Sequence, residues 1–261
     1  MTIETQTPEV DLDYSIDDFT PSADRDSQYL YRAIEDMMLE LATAVRGGRV
    51  LDMACGTGKN AMRIAERGCY SVGAEASTEM IGVGRWVMPG STARMVRSIA
   101  EQVPFADDSF DRVICQGSLD HFADPYAFMR EAARVIKPDG RVVIALANFE
   151  SVSCRIGRTV DRVKRRLGRP RPPWRLYWQT PEDHNVKGDL SYVRTLGADA
   201  LALDDLFGIS LFWPVPGYGK ALNVIPETFA STIWRGFDRI ARNRPQDSDM
   251  IVSVWKRPGA R

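Results

Sequence analysis

The chain has 261 residues, 44% of them hydrophobic and 26% charged, with a formal net charge of −1. That length suffices for one α/β domain with an elaborated cap, and the near-zero charge excludes a global electrostatic attraction to nucleic acid. Cys55, Cys69, Cys115 and Cys154 lack C-x-x-C spacing, which argues against disulfides and structural zinc; no apolar run approaches the ~20 residues of a membrane span, and no apolar segment follows the N-terminus, so a cytoplasmic enzyme is expected.

Residues 1–26 carry eight acids against one Arg and read as an acidic extension. From 27 to 45 the apolar positions Leu30, Ala33, Ile34, Met37, Met38, Leu41 and Ala42 follow helical spacing, ending at Gly47-Gly48. A strand over 50–53 then meets Asp52, crosses a small-residue turn with Gly56 and Gly58, and opens a helix to about residue 67. A second strand, 71–74, ends in Glu75, and Thr78 begins another helix. Strands follow at 93–97 and 112–116, then a helix capped by Asp124-Pro125, then a strand at 141–146. Alternating strands and helices imply a parallel sheet with ligands at the strands' carboxyl ends.

After Asn148 this rhythm stops. Residues 155–175 carry nine Lys or Arg against one Asp. Val152, Ile156, Val160, Val163 and Leu167 repeat at helical intervals among Arg155, Arg158, Arg162, Lys164, Arg165 and Arg166, which predicts a basic amphipathic helix. An aromatic run, 172–178, follows. Such a helix either covers the substrate side of the sheet or lies on an anionic membrane surface. A short helix over 198–207, a strand over 209–213, a Pro/Gly-rich loop, a helix over 227–242 and a last strand over 251–256 complete the reading.

Gly56, Gly58 and Ala61 satisfy the G-x-G-x-x-G/A spacing of dinucleotide sites, so the glycines alone do not decide the ligand. Asp52 would repel a pyrophosphate and suits a ligand with an ammonium group, as at the amino-acid end of S-adenosylmethionine. Asp52-Met53-Ala54-Cys55-Gly56-Thr57-Gly58 resembles the first motif of class I S-adenosylmethionine-dependent methyltransferases. Glu75, Ala100-Glu101-Gln102-Val103-Pro104-Phe105, Phe110-Asp111-Arg112-Val113 and Ile136-Lys137-Pro138-Asp139-Gly140 resemble later motifs of the small-molecule branch, in order.

The resemblance implies a Rossmann-like α/β fold. Its seven-stranded, mostly parallel sheet is flanked by helices, its last strand is antiparallel and inserted between strands five and six, and a helical and aromatic cap at about 150–190 follows strand five. The methyltransferase domain would span 27–261, with 1–26 an extension or lid in which Tyr14 and Phe19 are candidates. The implied cofactor is S-adenosyl-L-methionine, with Asp52 near its ammonium, Ala54, Gly56 and Gly58 approaching through backbone, and Glu75 with Ala76 at the ribose. Ile99 replaces the Asp often used for adenine, leaving backbone groups of Ala100 and Glu101 to read that ring, and Gln116 meets the methionine through its carbonyl. Candidates for taking a proton from the acceptor are Asp120, His121 and His184, because an imidazole or carboxylate at the reacting centre can act as base. No metal-ligand spacing is present.

The expected activity is methyl transfer to a small-molecule or lipid-linked acceptor, oxygen preferred over carbon. The alternatives are a dinucleotide-type oxidoreductase and an RNA methyltransferase using the basic insertion. Against the latter, the chain lacks an N/D-P-P-Y type motif. Beside the cap reading, the expected alternatives for 152–178 are a soluble acidic partner, such as a phosphate-bearing substrate or carrier protein, and an anionic membrane surface, the last with peripheral localisation of a cytoplasmic enzyme.

Overall fold

The computed structural model describes residues 24–87, 89–182, 184–197 and 200–260, so the lid candidates Tyr14 and Phe19 lie outside the described residues. In chain order the elements are α1 (Arg25–Ala42), β1 (Arg49–Met53), α2 (Lys59–Glu66), β2 (Tyr70–Glu75), α3 (Thr78–Val87), β3 (Arg94–Arg97) and β4 (Phe110–Gln116). There follow α4 (Pro125–Val135), β5 (Ile136–Ala147), α5 (Val152–Arg166), α6 (Leu190–Leu196), β6 (Ala202–Ile209), α7 (Tyr218–Val224), α8 (Glu227–Arg242) and β7 (Met250–Lys256).

The strands form one sheet in the order β3-β2-β1-β4-β5-β7-β6. β7 runs antiparallel to both β5 and β6, while the pairs from β3 to β5 are parallel. The chain moves outward from β1 through β2 to β3, then returns to β4 on the other side of β1. This reversal opens a crevice at the carboxyl ends of β1 and β4, where ligands bind in sheets of this type.

Both faces of the sheet are covered, so its strands are nearly continuous apolar runs. Successive side chains alternate between the two sides. Leu51, Met53, Val113, Cys115, Val142 and Ile144 face one core with Phe128 and Met129 of α4 and Leu196 of α6. Val50, Ile114, Val143 and Ala145 face the other, against Leu30, Ile34 and Met38 of α1, Ile64 of α2 and Trp234 of α8. Asp124 caps α4 by accepting from the amides of Tyr126 and Ala127, each at 2.9 Å, with Pro125 in the first turn.

Four expectations are corrected. The helix expected at 198–207 and the strand expected at 209–213 are instead α6, lying earlier, and β6 over Ala202–Ile209. A register shift between Leu203 and Asp205 breaks the alternation of β6, so Leu203, Leu206 and Phe207 mimic helical spacing. β6 is also an edge strand, and Asp204 there pairs with Arg141 and Lys256, each at 2.8 Å. Within the Pro/Gly-rich stretch the chain forms α7, whose start is marked by Gly217 at φ 91°. β5 begins at Ile136, ahead of the expected 141, because Ile136 pairs with Phe110 before the register shifts.

Candidate active site at the carboxyl ends of β1 and β4

β1 leads directly into the glycine turn, whose backbone is left-handed at Ala54 (φ 55°), Gly56 (φ 55°) and Gly58 (φ 75°). A side chain at Gly56 would meet nothing within 4 Å, so glycine is required there for φ rather than for space. Ala54 adopts the same region with a Cβ, a strain of roughly 1–2 kcal/mol that accumulates at functional turns. Two glycines elsewhere supply space. A Cβ on Gly73 would lie 2.5 Å from Cys55 Sγ, and one on Gly84 2.5 Å from the carbonyl of Thr57, so β2 and α3 close tightly on the turn.

Glu75, ending β2, braces this turn from below. Its Oε2 accepts from the Gly56 amide at 2.8 Å and its Oε1 from the Ser77 amide at 2.9 Å. Each oxygen keeps a further lone pair for a ligand hydroxyl. Ala76 gives its carbonyl to Arg97 Nε at 3.1 Å, and the Ser98 amide donates to the Glu75 carbonyl at 3.0 Å, which ties the segment carrying Ile99 and the buried Ala100 to the end of β2. Glu101 is engaged elsewhere, since Oε1 accepts from the Asp124 amide at 3.5 Å, in front of α4.

Asp52 faces the α1 and α2 side of the sheet, is 2% exposed, and has no partner at Oδ2. Burial first, and Glu75 second, push its carboxyl up to about 8, opposed by a hydrogen bond from the Ala61 amide. An orphaned buried carboxylate oxygen beside the glycine turn fits a donor that carries an ammonium group. A carboxyl with a raised folded-state value contributes stability below its unfolded value and loses it as pH rises through the folded one. The unliganded chain should therefore become less stable between the ordinary carboxylate range and pH 8. Urea unfolding at pH 5, 7 and 9 checks this, with Asp52→Asn expected to gain on the wild type as pH rises.

On the β4 side, Gln116 Oε1 accepts from Asn60 Nδ2 at 3.0 Å, joining β4 to the first turn of α2. Ser118 Oγ lies 3.4 Å from the carbonyls of both Ala54 and Gln116, bridging the glycine turn to the end of β4. A 3₁₀ turn, Leu119–His121, follows immediately. It carries Asp120, 6% exposed, and His121.

His184 arrives from the insertion, and its Nδ1 lies 2.9 Å from Asp120 Oδ2. The two rings, His121 and His184, meet edge to face at 4.6 Å, with Phe149 5.9 Å from His184. Asn185 fixes this approach: its amide donates to the Asp120 carbonyl at 2.7 Å, and its Nδ2 to the carbonyls of His121 and Phe122 at 3.1 and 3.0 Å. All three candidate proton acceptors thus converge, with ligand atoms within 4.8 Å of one another. The absence of metal-ligand spacing along the chain does not carry over to space, because folding brings His184 to Asp120 and His121. Asn60, Gly73, Gly84 and Asn185 were not foreseen. Gly73 inside a strand pattern is itself a sign of close approach, whereas Asn185 offered no sequence signal.

A profile described as a methyltransferase domain matches residues 51–144. The chain is similar to a demethylmenaquinone methyltransferase of Clavibacter sepedonicus, 40% identical over 101 residues, 38% of this chain and 41% of that protein. It is 40% identical over 104 residues to a ubiquinone/menaquinone biosynthesis C-methyltransferase of Geotalea daltonii, 37% of this chain and 44% of that protein. The matches thus span less than half the length of these relatives. Among solved structures, YcgJ of Bacillus subtilis superposes with a TM-score of 0.55 at 21% identity, over 87% of this chain and all of that one. A geranyl diphosphate methyltransferase in complex with S-adenosylmethionine gives 0.57 at 16% identity, over 88% and 86%. With the glycine turn, Glu75 and the inserted antiparallel strand in place, residues 51–144 match a methyltransferase domain, and the chain shares the Rossmann-like fold of S-adenosylmethionine-dependent enzymes.

Proposed function

We propose that the chain transfers a methyl group from S-adenosylmethionine to an ionisable hydroxyl of a small, lipid-linked acceptor. The observation that carries this reading is the cluster of Asp120, His121 and His184 directly after β4, bridged by Ser118 to the glycine turn. When bound, the cofactor supplies an electrophilic methyl on a positively charged sulfur. Asp52 and the amides of the glycine turn hold its amino-acid end, and Glu75 its ribose. Ile99, Ala100 and Glu101 are the adenine-side residues of this reading, beside Ala76, and the Gln116 carbonyl is turned to the methionine chain. The cluster takes up the acceptor's hydroxyl proton, and its buried walls align the oxygen for in-line attack. The oxygen–carbon bond forms as the sulfur–carbon bond breaks, and S-adenosylhomocysteine leaves with its sulfur uncharged.

The names of the quinone-methylating relatives favour a second outcome, methylation of a ring carbon beside the ionised oxygen. Incubating the chain with labelled donor and hydroxylated polyprenyl aromatics, then locating the label by NMR, tests both. Label on oxygen supports the first reading, and label on carbon replaces it. Absence of transfer to every such acceptor, with S-adenosylhomocysteine bound, would overturn the acceptor class.

The lipid-linked character rests on α5. This helix buries Ser153, Cys154, Gly157 and Asp161, and leaves Ile156, Val160, Val163 and Leu167 40–73% exposed, with Trp174 68% exposed nearby. Gly157 lies against Tyr177 and Trp178, and Asp161 pairs with Arg171 at 2.6 Å and Arg165 at 3.3 Å, so the small, polar face is the one held inward. The expected alternative, an apolar stripe turned onto the active site, does not describe this helix.

Arg162, Lys164 and Arg166 make no ion pair among the described residues. An apolar stripe flanked by solvated cations is complementary to an anionic bilayer surface, and in this reading 150–190 forms a cap that also takes the acceptor from the membrane. No described helix is long and apolar enough to cross a membrane. At about 1 kcal/mol per basic residue, changing Arg162, Lys164 and Arg166 to Glu should lower affinity for phosphatidylserine liposomes at least about 100-fold. Sedimentation in low and high salt measures it. Equal binding to neutral and anionic liposomes, or none to either, would remove the membrane from this reading.

A further inference from the structure

We infer that Asp120, His121 and His184 form a binding site for one divalent transition-metal ion, which holds and acidifies the acceptor's hydroxyl. This rests on the acceptor-site reading above and gives its cluster a specific chemistry. The donor set is two imidazoles and one carboxylate, offered by a single turn and one facing segment, with ligand atoms within 4.8 Å of one another. Two ligands each about 2.1 Å from one ion lie at most about 4.2 Å apart, so small ring rotations complete the geometry.

An unshared carboxylate oxygen points to a ligand. Asp120 is 6% exposed, yet its Oδ1 has no hydrogen-bond partner. Its Oδ2 is 2.9 Å from His184 Nδ1, but that nitrogen makes no aligned hydrogen bond either. Proximity without alignment leaves neither group satisfied by the other, while each keeps a ligand atom within 4.8 Å of those of the other two residues. A buried carboxylate in that position is stabilised by a cation. The three contacts from Asn185 preset the site by locking the backbone of His184's neighbour to the carbonyls of Asp120, His121 and Phe122. Phe149 against the His184 ring fills one side.

The mixed nitrogen and oxygen set selects zinc, manganese, iron or cobalt over magnesium or calcium, which prefer all-oxygen ligands. Three protein ligands leave coordination positions open for the acceptor. An oxygen bound there loses its proton near neutral pH, since a divalent ion lowers the pKa of a bound hydroxyl by several units. The acceptor class that fits is a phenol or enol, with its coordinated oxygen at the end of β4. With the ion bound, the three side chains serve as its ligands and do not take the proton themselves; the proton passes to solvent, and the charge on oxygen is held by the ion until the methyl is transferred.

The test uses the full chain, stripped with a chelator and titrated with Zn²⁺ and Co²⁺ by calorimetry, with the visible spectrum of the Co²⁺ form recorded. One equivalent per chain is expected, with bands of a nitrogen and oxygen site. Asp120→Asn, His121→Gln and His184→Gln should each weaken binding at least about 100-fold, beyond the range set by outer-shell changes. Thermal melting screens each variant for folding, so the result from any folded one counts. Substoichiometric binding, equal affinity in a folded variant, or thiolate-to-metal absorption that places the ion on a cysteine would overturn the site. S-adenosylhomocysteine titrated into the stripped chain is read separately: its binding is required by the methyltransferase reading whatever the metal does.

Discussion

Replacing Glu75 by alanine should weaken S-adenosylhomocysteine binding by at least roughly 1.5–3 kcal/mol, the worth of one hydrogen bond to a charged group, or about 10- to 150-fold in Kd. Two effects act in the same direction. In the proposed reading the carboxylate is the partner of the ribose hydroxyls, and it is the acceptor for the amides of Gly56 and Ser77, which it holds at 2.8 and 2.9 Å. Losing it frees the glycine turn, so the amides intended for the cofactor are no longer aimed. Glu75→Gln keeps one carbonyl acceptor and should fall between wild type and alanine. Calorimetric titration measures both, and an unchanged Kd for the alanine variant would remove Glu75 from the cofactor site. The fold should persist, because Glu75 lies at the end of β2 outside both apolar cores.

Trp255→Ala should cost about 3–5 kcal/mol of folding stability, the range for truncating a buried aromatic residue. Trp255 is 1% exposed and belongs to the core on the α4 and α6 side. Its ring sits against the backbone at Gly197, where a Cβ would come within 2.3 Å of it, and its Nε1 donates to Ser253 Oγ at 2.9 Å. The cavity would therefore open between β7 and α6 with little chance of collapse, since Gly197 has no side chain to enter it. Urea unfolding reads the loss. Trp255→Phe should keep most of the packing and lose the hydrogen bond, and a cost below about 1 kcal/mol for the alanine variant would show that this corner is not part of the cooperative core.

The strand, turn and helix around Asp52 were legible because their signals are local. A strand ending in Asp52, a turn needing left-handed backbone at Gly56 and Gly58, and an acid closing the next strand are all readable within a few residues, and the structure joins them through Gly56 and Glu75. The acceptor half was legible only as a set of residue types. Asp120 and His121 adjoin, but His184 is brought to them by a segment without periodicity, anchored through an Asn185 side chain that no pattern singles out. β6 was misread for a related reason. Its register shift and its edge acids Asp204 and Asp205 erase the alternation by which strands are recognised, and its identity is set by pairing with β7, distant in sequence. α5 was readable as a basic amphipathic helix, but which face turns inward is decided by Gly157 and Asp161 finding partners in the following loop.

The order of strands also constrains when the sheet can form. β5 and β6 are not neighbours in the sheet; β7 lies between them, pairs with both, and follows both in the chain. Until residues 250–256 emerge, β5 presents an open apolar edge and β6 has no neighbour at all. The parallel half, from β3 to β5, can assemble during synthesis, while the other half must wait and close in a single late step of long sequence separation. In that interval the open edge of β5 is the place where a second nascent chain could dock, so slowing translation ahead of β7 should favour aggregation.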